Sequence, residues 1–376
     1  MLKISITLIF LVLFFSVIGG CMSTKSTAQS TPKTKAHHAE NGFINTDSAM
    51  PEDASMTTML YRLIAEKRVD PKPTKAIPVK SLTAQQLNTI DLDEEVIVRL
   101  GHSSIYMQLA GQKILIDPVF SERASPFSFI GPKRFHQPPI KLQQLEAIDL
   151  VIISHDHYDH LDKSAIKELK DKVKHFVVPL GVDQHLIDWG VAEHKITALD
   201  WWENAEIQGV KVISTPTQHF SGRTLTDRNK TLWSSYVLQS ATSNLYFSGD
   251  SGYFSGFKKI GDRFGPFDIT MVETGAYDKN WPGIHMTPEQ SLQAHLDLQG
   301  KVMLPIHNGT FDLAFHSWYE PLQRISVLAE EQGVTLATPI MGSILNIQNI
   351  PQGIAWWHQE KQIESEKVVM SEVTSL

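Results

Sequence analysis

"SHDHYDHLD", residues 154–162, follows the apolar run "DLVII" (149–153) and packs three histidines and three aspartates into nine positions. A buried strand ending in such a cluster needs a chemical reason, because a solvated acidic turn gains nothing from alternating imidazole with carboxylate. Metal coordination supplies one, since imidazole nitrogen and carboxylate oxygen are donors that suit zinc. In an extended loop His155 and His157 can face one ion, while Asp159 and His160 face a second close by.

Partners for both ions stand at the ends of other apolar runs. His219 follows "VISTPTQ", Asp250 follows "NLYFSG" and His307 follows "VMLPI". Strand ends in layered α/β folds converge on one edge, where sites are commonly built. His219 then completes the first set, His307 completes the second, and Asp250 can bridge them. The donors fit two Zn2+ ions per chain, and Mn2+ or Fe2+ accept the same donors. Two metals roughly 3.5–4 Å apart hold a hydroxide and stabilise both oxygens of an in-line displacement. The other histidines, among them His136, His175, His185, His194, His295, His316 and His358, are read as structural or surface residues.

Around this cluster the chain of 376 residues divides into four stretches. Residues 1–20 read as a signal peptide: Lys3 precedes the apolar segment Ile4–Ile18, short for a membrane span and the right size for export. "IGGC" then resembles a lipobox, with Cys21 as the acylated residue and the single cysteine of the chain. Residues 21–90 read as a polar tether, in which His37 and His38 are taken as solvated, followed by a helix in 54–68 and a proline-broken linker. Residues 91–350 read as the folded body that carries the cluster, and 351–376 as a polar tail. Within the body, runs such as "EVIVRL", "SIYMQLA", "KILIDPV" and "DLVIIS" read as strands, and the rhythm recurs from "VKVISTP" to "KVMLPIH". Between two of these lies a helix with Thr287 as N-cap, Pro288 in the first turn, Gln290 closing a capping box and Gly300 as its stop. Two successive sets of strands with helices outside give an α/β fold, a four-layer αββα sandwich. A net charge of −7 argues against a nucleic-acid partner.

"HDHYDH" resembles the HxHxDH motif of the metallo-β-lactamase superfamily, and His219, Asp250 and His307 fall in that superfamily's order. More closely, residues 96–345 are similar to the N-acyl-phosphatidylethanolamine-hydrolysing phospholipase D family. The similar stretches include "IDPVFSERASPFSFIGPKRF" (116–135), "LDWWE" (199–203), "TPTQHFSGRTLTDRNKTLWSSY" (215–236), "FSGDSGY" (247–253) and "IHNGTF" (306–311). The resemblance implies a binuclear zinc phosphodiesterase with a phospholipid or other anionic phosphodiester as substrate. His155, His157 and His219 hold one zinc, Asp159, His160 and His307 the other, and Asp250 bridges. Hydroxide attacks phosphorus, with Asp159 and Asp250 as catalytic ligands and His285 near the phosphate. His285 also lies just before the capped helix start, a place suited to an anion. Two zinc ions offset by Asp159, Asp250 and one hydroxide leave one positive charge, which attracts a phosphodiester.

Some features depart from the family. Asn308 follows the last ligand, where the animal members carry tryptophan, and the lipoprotein leader has no equivalent there. Trp201, Trp202, Trp233, Trp281 and Trp318 are candidates for a lipid groove, weighed against the commoner role of aromatics as core. A lactonase or other ester hydrolase would use the same ligands, and a non-catalytic envelope lipoprotein could keep the fold. Export, the anchor at Cys21 and the residue after it, Met22, point to the cell envelope with a lean to the outer membrane. A homodimer is among the expected assemblies.

Overall fold

The computed structural model describes residues 35–47 and 56–358. The leader, Cys21, most of the polar tether and the tail beyond residue 358 lie outside them. Two seven-stranded sheets make up the body. In spatial order the first runs Ile344–Asn346, Val96–Gly101, Ser104–Leu109, Gln112–Ile116, Ile148–Ile152, Val173–Pro179, Ile196–Leu199. The second runs Thr335–Leu336, Gly300–Ile306, Phe267–Glu273, Asn244–Phe247, Ser235–Gln239, Val210–Thr215, Asn204–Ile207. Each sheet is antiparallel on one side and parallel on the other.

Strand periodicity explains the layering. Successive side chains point to opposite faces of a sheet, so a strand buried on both faces is apolar throughout. Ile114, Ile116, Leu150, Ile152 and Val177 point into the space between the sheets, where they meet Val212, Leu238, Phe247, Met271 and Leu304. Leu115, Val151, Phe176 and Val178 point the other way, onto the helices Lys163–Leu169 and Val182–Asp188. The helices Gly256–Phe264, Pro288–Asp297 and Glu320–Gln332 cover the outer face of the second sheet through Phe257, Leu292 and Ile325. The architecture is the expected αββα sandwich. Among the described residues no helix is long and apolar enough to cross a membrane.

Several local expectations need correction. The helix capped by Thr287 and Gln290 ends at Asp297, not at Gly300. Gln299 takes the left-handed backbone expected of the glycine, with φ of 58°. Gly300 instead opens the next strand, where a Cβ would lie 2.6 Å from the His295 ring. His37 is not solvated: it is 4% exposed, stacks on Trp201 at 4.3 Å and has Nε2 2.5 Å from Asp200 Oδ1. His38 Nε2 reaches Asp200 Oδ2 at 2.8 Å. The tether reads as solvated because its partner lies 163 residues away. The body is also wider than 91–350. Val79 pairs with Met341, and Trp356 and Trp357, in the expected polar tail, are buried with Trp318 and Leu322.

His295 gives the fold a pH dependence. Its Nδ1 lies 2.6 Å from Thr270 Oγ1, and burial pushes its pKa down to about 4. Because the folded value lies below the unfolded ~6.5, the unfolded chain binds more protons between the two values. Stability is therefore full above about pH 6.5 and falls as pH drops towards 4, by about 3 kcal/mol from this residue. Urea titrations at pH 7 and pH 4.5 should show a smaller loss in His295→Gln than in the parent protein, and equal losses would refute the assignment.

Candidate metal centre

The C-terminal ends of seven strands from both sheets meet at one place. Val96–Gly101 leads into His102, Gln112–Ile116 into Asp117 and Ile148–Ile152 into the 154–162 loop. Val210–Thr215 precedes His219, Asn244–Phe247 precedes Asp250, Phe267–Glu273 ends in Glu273, and Gly300–Ile306 precedes His307. His102, Asp117 and His307 have φ of 53°, 42° and 62°. Non-glycine residues held there cost on the order of 1–3 kcal/mol each, and such strain gathers at functional sites.

All seven residues singled out by the motif converge, in two groups. In the first, His157 Nδ1 lies 2.9 Å from His155 Nε2 and 3.2 Å from His219 Nε2, while Asp250 Oδ2 is 3.7 Å from both of the latter. In the second, His307 Nε2 lies 3.3 Å from Asp159 Oδ2 and 3.1 Å from Asp250 Oδ2, and His160 Nε2 is 3.0 Å from Asp250 Oδ1. Four ligands placed tetrahedrally at zinc distances are roughly 3.3 Å apart, which these separations match. His160 Nε2, His307 Nε2 and Asp250 Oδ1 are buried without a hydrogen-bond partner among the described residues. Close contact without hydrogen-bond alignment is what donors aimed at a common third atom show.

Electrostatics favour a cation here. Burial holds His155, His157 and His219 below the ordinary imidazole range, so they present neutral nitrogen. Burial also opposes charge on His160 and His307, but the carboxylates of Asp250 and Asp159 outweigh it and draw protons onto both rings, His307 up to about 10. Buried carboxylates that demand positive charge this strongly fit divalent ions.

A supporting layer fixes the donors, and the motif reading missed most of it. Asp117, fully buried, accepts from Ser154 N at 2.7 Å, Ser154 Oγ at 2.6 Å and His160 Nδ1 at 2.7 Å. His102 Nε2 donates to Asp159 Oδ2 at 3.0 Å, beside the second donor group, and holds that carboxylate in place. Burial pushes its pKa down to about 3, so the ring is neutral. Asp156, inside the motif, donates nothing to either group; it accepts from Gly222 N and Thr231 Oγ1 and so anchors the loop after His219. Asn45 exchanges hydrogen bonds with the main chain of His219, at 2.8 and 3.2 Å. For His102 and Asp117 the signal was available: each is polar and directly follows an apolar strand.

His285 lies beside both groups. Its Nδ1 is 2.7 Å from Glu273 Oε1, and its ring centroid is 5.2 Å from that of His219 and 5.0 Å from that of His307. Asp159 and His285 keep 15% and 14% of their side chains exposed, whereas His155, His160, His219, Asp250 and His307 keep 2% or less. The centre therefore opens past Asp159 and His285. Asn308 fills its position by bonding: Arg99 Nη2 donates to its carbonyl and Oδ1, and its Nδ2 donates to Thr274 O and Ile306 O. Of the five tryptophans considered for a groove, Trp201 and Trp233 are core, and Trp318 alone lines the cavity beside His307.

Residues 112–308 match the family model described as the Beta-lactamase superfamily domain. The chain belongs to the metallo-β-lactamase superfamily. It is a metal-dependent hydrolase with relatives of phospholipase D type. N-acyl-phosphatidylethanolamine-hydrolyzing phospholipase D 1 of Caenorhabditis elegans is 36% identical over 245 residues, 61% of this chain and 68% of that protein. An uncharacterized protein of Mycobacterium tuberculosis is 37% identical over 342 residues, 89% of this hydrolase and 90% of the relative. Outer membrane protein RomA of Klebsiella pneumoniae is 49% identical over 94 residues, 25% of this chain and 70% of its own. Among solved structures, an isothiocyanate hydrolase from Delia radicum gut bacteria aligns with a TM-score of 0.54 at 22% identity, over 66% of this chain and 98% of its own, a likeness of fold.

Proposed function

We propose that this hydrolase is a binuclear zinc phosphodiesterase of phospholipase D type that cleaves N-acyl-phosphatidylethanolamine or a related phospholipid. The observation that carries this reading is the pair of four-donor groups, His155 with His157, His219 and Asp250, and His102 with Asp159, His160 and His307, with Asp250 3.0 Å from His160 Nε2 and 3.1 Å from His307 Nε2 of the second group. His155, His157, His219 and Asp250 would hold one ion, and Asp159, His160, His307 and Asp250 the other. Bound there, the ions would supply Lewis-acid charge and lower the pKa of water. Asp250 joins the two groups, and His102 orients Asp159 by its hydrogen bond. Glu273 engages His285 at Nδ1, which leaves Nε2 as the other edge of the ring, placed to accept or pass on a proton beside the substrate. The similarity to the nematode phospholipase D supports the lipid class, and the similarity over 94 residues to a protein named for the outer membrane is consistent with an envelope location, where Cys21 would be the anchor.

Mass spectrometry of lipid products tests the assignment. The zinc-loaded protein given N-acyl-phosphatidylethanolamine should release phosphatidic acid and N-acylethanolamine in equal amounts. Intact substrate in the presence of two bound zinc ions would overturn the lipid assignment and leave a lactone or another phosphodiester as the substrate.

A further inference from the structure

Residues 35–47 lie far ahead of the metal-binding loops in the chain, yet the fold carries them to the centre. Lys35 Nζ, His37 Nε2 and His38 Nε2 converge on the Asp200 carboxylate. The short strands His38–Ala39 and Gly42–Phe43 then turn the chain back. Gly42, with φ of 140°, permits a close passage, since a Cβ there would stand 2.1 Å from the Asn229 carbonyl oxygen. Phe43 N donates to that same oxygen at 2.8 Å, and Phe43 packs against Trp201, Leu232 and Trp233. Both arms of the turn are pinned, and Asn45 is delivered to His219.

The contact is with the backbone of this donor residue rather than its ring. His219 N donates to Asn45 Oδ1 at 3.2 Å, and Asn45 Nδ2 donates to the His219 carbonyl oxygen at 2.8 Å. Among the described residues these are the only hydrogen bonds to the His219 main chain. Trp233 Nε1, which can only donate, lies 3.2 Å from the same Oδ1 and so fixes which way the amide faces. His219 stands in the connection between the strands Val210–Thr215 and Ser235–Gln239, where no strand ladder pairs its peptide groups. Its ring is aligned separately, by Nδ1 against the Ile284 carbonyl oxygen at 3.2 Å. Asn45 thus supplies the pairing that a neighbouring strand would otherwise give, and with it the reach of the imidazole towards His157.

We propose that Asn45 is a positioning residue for the first ion, through which a segment outside residues 112–308 completes the set of His155, His157 and His219. The inference rests on the two-ion reading of the centre. Because His219 belongs to the first donor group alone, the effect falls on one ion of the two.

Competition between the full chain and a fluorescent chelator reads the two zinc affinities apart from catalysis. Asn45→Ala should weaken one ion about tenfold, the low end for losing a partner that orients a ligand, and leave the other within about twofold. Asn45→Asp keeps an acceptor for His219 N and Trp233 Nε1 but turns a second oxygen on the His219 carbonyl, so it should weaken the same ion. Phe43→Leu loosens the same segment without touching that pair, and should lower stability while keeping both affinities. Co2+ taken up in place of zinc should change its visible absorption in Asn45→Ala and not in Phe43→Leu, because its bands follow ligand geometry. Unchanged affinities in folded Asn45→Ala, an equal loss of both ions, or the same loss in Phe43→Leu would overturn the role. Should Asn45→Ala not fold, Asn45→Asp is held to the same outcomes. A parent protein that binds no zinc would overturn the two-ion reading and this role together, whereas two ions bound equally well by parent and variants would remove Asn45 alone.

Discussion

Asp250→Ala should lower turnover by at least about a thousandfold, a barrier increase of about 4 kcal/mol, and reduce bound zinc from two ions per chain to one or none. The carboxylate stands within 3.7 Å of donors in both groups, so its loss takes a ligand from each. The fold has reason to survive, because the local backbone is held separately: Thr217 Oγ1 donates to the Asp250 carbonyl at 2.8 Å. Asp250→Asn separates charge from shape. It keeps an oxygen of the same reach, so a matching loss of metal would point to the missing negative charge. Elemental analysis of dialysed protein reads the stoichiometry, and full metal content with full activity in either variant would remove Asp250 from the centre.

The second large effect belongs to a residue that touches no ion. Asp117→Asn should weaken metal binding about 10–100-fold, the usual cost of removing a partner that orients a ligand. With His160 Nδ1 donating to the Asp117 carboxylate, Nε2 is the nitrogen left to face Asp250 and to give up its proton to an incoming ion. An asparagine can turn its NH2 towards the ring and select the wrong tautomer. Asp117→Ala should in addition cost about 3–5 kcal/mol of stability, because it leaves buried donors from Ser154 and His160 unpaired. Competition with a chelator of known affinity measures the first effect and denaturant titration the second. Unchanged zinc affinity in a folded Asp117→Asn would contradict this role.

The division between what the sequence disclosed and what it withheld has a physical basis. Strands such as 112–116 and 148–152 are buried on both faces, so their apolar runs stand out, and counting two such sets was enough to anticipate two sheets. Four donors crowd into 155–160, a spacing with few other uses, and a polar residue after each later strand completes the pattern. His102, Asp117 and Glu273 follow strands in the same manner but serve the donors rather than the ions. A single carboxylate carries no spacing that says which histidine it will orient. His37 was misjudged for a related reason: composition describes a segment's neighbours in sequence, whereas its burial depends on Asp200 and Trp201, brought to it by the fold.

Because the donors come from both sheets, an ion held in either group would act as a removable crosslink. In the first group it would join the 155–157 loop to His219 and Asp250, and in the second it would join 159–160 to His307, closing a loop of roughly 150 residues. A permanent bond across a loop of that size limits the unfolded chain by on the order of 5 kcal/mol. An ion acts the same way only while it is bound. The supply of metal would then govern the lifetime of the folded hydrolase as well as its chemistry, and starvation for the ion would expose the seam between the two halves of the molecule.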